Sequence, residues 1–159
     1  MNQLLSSLDQ QFARLHKYSC ESLEIIPAAK LYWQPRQRSG ILPVYSCGEH
    51  LLRSAAAVEQ TFGGITANLW DDPFEWTLPE TLPSPGLVRE YLTEVETTRR
   101  RGFDFFAGDA DLKKEIVTPA GTPQTLFALL LETLVRAAHH QGRAFAVIRL
   151  FSDARLPFV

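Results

Sequence analysis

Leu4, Leu5, Leu8, Phe12 and Leu15 recur at steps of three and four residues, with polar residues between them. That spacing lines one side of an α-helix and predicts a first helix over residues 2–20 with one buried face. Pro27 suits the first turn of a short second helical piece, because its missing N–H needs no partner there, and Pro35 stops it. Ser46 and Glu49 form a capping box in the run SCGEHLL, so the second core helix starts near Cys47. It carries Leu51, Leu52, Ala55, Val58 and Phe62 on one side and is expected to stop at Gly63 and Gly64. Ser84 followed by Pro85 opens a third helix that continues through Leu87, Val88, Tyr91, Leu92 and Val95 towards Gly108. Lys113 to Val117 reads as extended, with a small hairpin in view, before Thr122 and Pro123 open the longest helix. That helix holds one apolar stripe through Leu126, Leu130, Leu134, Ala137, Ala144, Ile148 and Phe151.

Four such helices bury their stripes against one another, so the expected fold class is all-α, a four-helix bundle with a short extended segment before the last helix. Between the second and third helices, residues 70–86 combine prolines with aromatic and acidic residues, as in an ordered loop packed across the bundle. In that loop, Trp70, Phe74 and Trp76 are placed either to roof a pocket or to staple the core. No composition shift marks a boundary, and residues 1–159 read as a single domain.

Composition narrows the function classes. Apolar residues make up 45% of the chain and charged ones 21%, an ordinary globular balance. Sixteen Lys and Arg against eighteen Asp and Glu leave a net charge of -2, which argues against a nucleic-acid partner. No apolar run is long enough to span a membrane, and none has the form of a signal peptide. Two cysteines, Cys20 and Cys47, fit a reducing cytoplasm better than a disulfide framework. The triplet Arg99, Arg100 and Arg101 reads as a solvated basic face near a helix C-terminus rather than as a phosphate patch.

Candidate chemistry rests on few residues. His16 has no sequence neighbour that suggests a site, and His139 points away from the last helix's apolar stripe. His140 borders that stripe. His50 lies beside the main stripe of its helix, on a strip of small or weakly polar residues, Cys47, Ser54, Ala57 and Thr61. Taken alone, that strip reads as half-exposed surface. Glu49 is explained by its capping role and is not assigned a catalytic one.

Three stretches, IPAAKLYWQP, YSCGEHLLRSAAAVEQTF and LLLETLVRAAHHQGRAFAVIRLF, resemble the DinB-like superfamily of four-helix bundles, which includes bacterial thiol S-transferases. The order of elements resembles that family nearly end to end. The resemblance implies a divalent metal, nickel or zinc, held by one histidine of the second core helix and two of the last. His50 and His140 match two of those positions, while Arg136 stands where the third histidine is expected. A guanidinium stays protonated and cannot ligate a cation.

Cys47, three residues before His50, is the remaining candidate for a third ligand. Arg136 repels a metal and attracts a carboxylate, sulfonate or phosphate, although a surface salt bridge accounts for it equally well. The leading expectation is a small anionic or thiol-bearing ligand bound near His50, Arg136 and His140. The alternatives are a working metal-dependent S-transferase or hydrolase, and a non-catalytic homodimer.

Overall fold

Residues 2–35, 44–75 and 77–157 are described by the structure, a computed structural model. Helix α1 spans Gln3–Ile25, α2 Cys47–Ala67, α3 Pro85–Asp104 and α4 Leu126–Ile148. The fold class is all-α, and among the described residues only a two-stranded antiparallel ribbon is added. In that ribbon β1 (Glu115–Val117) pairs with β2 (Pro123–Thr125), Ile116 facing Gln124.

Each of the four α-helix starts has at least one of its free N–H donors met by a side chain. In α2 the Ser46 hydroxyl accepts from Glu49 N (3.2 Å) while the Glu49 carboxylate accepts from Ser46 N (2.7 Å). Ser84 caps α3 by accepting from Leu87 N, and Thr125 caps α4 by accepting from Ala128 N. Asn2 makes no side-chain cap on α1. Its place is taken from across the fold by Asp109, whose carboxylate accepts from Leu4 N and Leu5 N at 3.1 and 2.9 Å. A carboxylate there also complements the positive end of the helix dipole.

Several boundaries differ from the sequence expectation. Helix α1 runs one turn past residue 20, to Ile25, and α1 and α4 are equally long at 23 residues. The piece after Pro27 is a single 3₁₀ turn, Ala28–Lys30. Helix α3 ends at Asp104, before Gly108. Pro123 belongs to β2, so α4 starts three residues later than expected. Helix α2 passes through Gly63 and Gly64 and ends one turn on, where Asn68 takes the left-handed conformation (φ 54°).

The reason Gly64 is a glycine lies in packing. A Cβ there would fall 2.3 to 2.4 Å from the Trp70 ring, which folds back over the helix. Trp76, expected in the same loop, lies outside the described residues.

The core runs through all four helices. Phe12, Phe62 and Phe103 tie α1, α2 and α3 together with ring centroids 5.3 to 6.0 Å apart. Helix α2 packs most extensively on α4. Their contacts run in opposite senses, His50 to His140, Ser54 to Ala137 and Thr61 to Thr133, so the two helices are antiparallel. Among the described residues no helix is long and apolar enough to cross a membrane.

The arginine triplet corrects the expectation of a wholly solvated face. Arg99 is only 2% exposed and is held by Glu96 (2.7 and 2.8 Å) and by Asp9 of α1. Arg100 reaches the same Glu96 from outside, and Arg101 is exposed. Burial opposes the Glu96 charge, but its bonds from Arg99 and Arg100 prevail and hold the carboxyl below its ordinary range.

Candidate functional site

His50 sits in the second turn of α2 and His140 in the second half of α4. The antiparallel packing brings their Nδ1 atoms to 3.5 Å. The strip flanking His50 is not half-exposed: Cys47, Ser54, Ala57 and Thr61 are all buried. Its small side chains let α2 lie close against α4, where Ser54 donates to Ala137 O at 2.8 Å.

Burial chiefly, then the charges of His140, Arg143, Arg53 and His139, lowers the His50 pKa to about 4. His140 is lowered in the same direction, by burial first and then by Arg53, His139, Arg143 and Arg136. Both rings are therefore neutral at pH 7, and a direct bond between them needs one Nδ1 protonated and the other free.

Arg136, four residues before His140, forms no salt bridge among the described residues, although one was weighed for it. Its guanidinium donates to Gln60 Oε1 at 3.1 Å and approaches Ala57 O at 3.5 Å. Gln60 in turn donates its amide to Trp70 O at 2.8 Å, which fixes the face presented to Arg136. Arg136 thus leans on a neutral amide.

Arg53, one turn beyond His50, is the functional candidate that sequence reasoning missed. Its guanidinium lies between the Phe74 and Tyr45 rings, 3.9 and 4.3 Å from their centroids. Among the described residues its Nε is buried with no hydrogen-bond partner. The i, i+3 spacing from His50 was visible in the sequence, but the aromatic partners come from outside the helix.

Arg53, Ala57, Gln60, Phe74, Arg136 and His140 surround a small pocket of about 60 Å³ between α2, α4 and the Pro73–Glu75 turn. Asp72 also lines it, with Oδ1 occupied by Phe74 N at 3.0 Å. Cys47 is not brought to this group. Its thiol donates towards Leu31 O (3.4 Å), and burial pushes its pKa up to about 11. His139 is exposed, as expected, whereas His16 meets Cys20 at 3.7 Å on α1.

Compared with family models, curated proteins and solved structures, the chain matches none.

Nickel or zinc, implied by the sequence resemblance, is a poor fit to these side chains. Two imidazole nitrogens on one tetrahedral zinc stand about 3.3 Å apart, so the His50–His140 spacing by itself suits a shared cation. Among the described residues, however, no three His, Cys, Asp or Glu side chains come together to hold a metal ion. The field of Arg53, Arg136 and Arg143 on the imidazoles repels a dication as well. The same field attracts an anion.

Proposed function

We propose that this chain is a cytoplasmic four-helix bundle of the DinB-like type that binds a small anionic or thiol-bearing ligand, through its acid group, at Arg53, Arg136 and His140. In this reading Arg136 replaces a metal ligand by a fixed positive charge, and His50 supports His140 from behind. One observation carries the proposal: two neighbouring guanidiniums, Arg53 and Arg136, have no ion pair among the described residues. Arg53 is also pre-positioned by Tyr45 and Phe74 with an N–H left to donate. Holding such a group costs little further entropy on binding, and hydrogen bonds to charged partners contribute about 1.5 to 3 kcal/mol each.

Titration with sodium sulfate, followed by amide chemical shifts, tests the reading. Shifts should cluster around residues 50–60 and 136–140, and Arg53→Met and Arg136→Met should each weaken binding about tenfold. Scattered shifts that neither substitution changes would refute it.

A second reading, a homodimer, is favoured by Phe127, Leu131 and Val135, exposed apolar residues at four-residue steps on α4. Sedimentation at low micromolar concentration tests it: a dimer dissociated by Leu131→Glu supports the reading, and a monomer removes it.

A further inference from the structure

The anion pocket does not end at Arg136. Gln60 and Arg136 also form the near wall of a wider cleft of about 390 Å³, lying between α2, α4 and the loop that joins β1 to β2. Beyond the shared Arg136, its lining differs from the first pocket's. On its floor Thr133 donates its hydroxyl hydrogen to Leu129 O (2.8 Å), so Thr61 is the donor in the 2.6 Å Thr61–Thr133 bond. Both hydroxyl hydrogens are committed, and only lone pairs remain to meet a ligand.

Glu132, one turn before Arg136 on α4, lines the same cleft and makes no hydrogen bond or ion pair among the described residues. The Trp70 ring, held over Gly64, supplies an aromatic wall. A carboxylate, an aromatic ring and acceptor oxygens together select a cationic or hydrogen-bond-donating group. Along α4 the order Glu132, Arg136, His140 places negative and positive ends about 6 Å apart per turn.

Resting on the anion-binding reading above, we infer that the ligand is a small zwitterion. Its anionic group sits between Arg53, Arg136 and His140, and its ammonium lies in the adjoining cleft against Glu132 and Trp70. The two ends are joined by a short linker that passes Gln60.

Calorimetric titration with sulfate, propane-1-sulfonate and 3-aminopropane-1-sulfonate tests this at pH 7. The aminosulfonate should bind about fivefold tighter than the plain sulfonate, and Glu132→Gln should abolish that difference while propane-1-sulfonate binds at least as tightly as before. Glu132 is exposed, so its substitution leaves the fold intact. Equal affinity of the two sulfonates, with sulfate still bound, would overturn the zwitterion and spare the anion site. Failure of all three probes to bind would overturn both.

Discussion

His50 and His140 meet Nδ1 to Nδ1 across the α2–α4 interface, 3.5 Å apart, and neither ring carries a proton charge at neutral pH. The pair is a joint between two helices, and its His140 half lines the pocket that also holds Arg53 and Arg136.

That joint makes folding sensitive to mild acid. His50 falls from its ordinary 6.5 to about 4 on folding, so between those values the unfolded chain binds more protons. Stability from this group is complete above about pH 6.5 and is lost as pH falls towards 4, on the order of 3 kcal/mol over the whole window. Urea midpoints measured across this range should fall steeply for the native chain, and His50→Gln should flatten the slope. An unchanged slope in the variant would contradict the assignment.

Sulfate affinity should move the opposite way. A bound anion beside His140 raises the imidazole's pKa, so binding takes up a proton and tightens as the solution is made more acidic than neutral. The charged and titratable groups around His140 include His50 and Arg53 of α2, Arg136, His139 and Arg143 of α4, and Asp72 of the pocket wall. Calorimetry in buffers of different ionisation enthalpy reads the proton uptake directly, and His140→Gln should abolish it.

The arginine triplet gives a clean internal control. Arg99→Met leaves Glu96 and Asp9 without their buried partner and should cost about 3 to 5 kcal/mol in urea unfolding. Arg101→Met, on an exposed side chain, should stay within about 0.5 kcal/mol.

What the sequence disclosed, and what it hid, follows from the range of each interaction. Ser46 with Glu49, and Ser84 with Pro85, are local signals, and both helix starts stand where those residues predict. Gly63 and Gly64 carry the same kind of local stop signal, but Gly64 answers to the Trp70 ring instead, a contact made by the chain after the helix. Arg99 could not be told from its neighbours because Asp9 lies 90 residues away. The site was half legible. Spacing and resemblance singled out His50, Arg136 and His140 as candidates, whereas Arg53 becomes a candidate only when Tyr45 and Phe74 close on it.

Gly64→Ala should therefore act on both stability and the site. The added Cβ pushes Trp70 off α2, at about 1 to 3 kcal/mol, and loosens the Trp70–Gln60–Arg136 chain. Weaker sulfate binding at a urea midpoint that has dropped is the expected pair of results; native-like binding would show that Gln60 does not hold Arg136 in place.

The most direct test of the central claim, that this pocket takes an anion and not a cation, is a paired titration of chelator-treated, untagged protein with zinc chloride and with sodium sulfate. The account predicts saturable sulfate binding that Arg53→Met and Arg136→Met weaken, and no stoichiometric zinc. Zinc bound one per chain and lost in both His50→Ala and His140→Ala would contradict it.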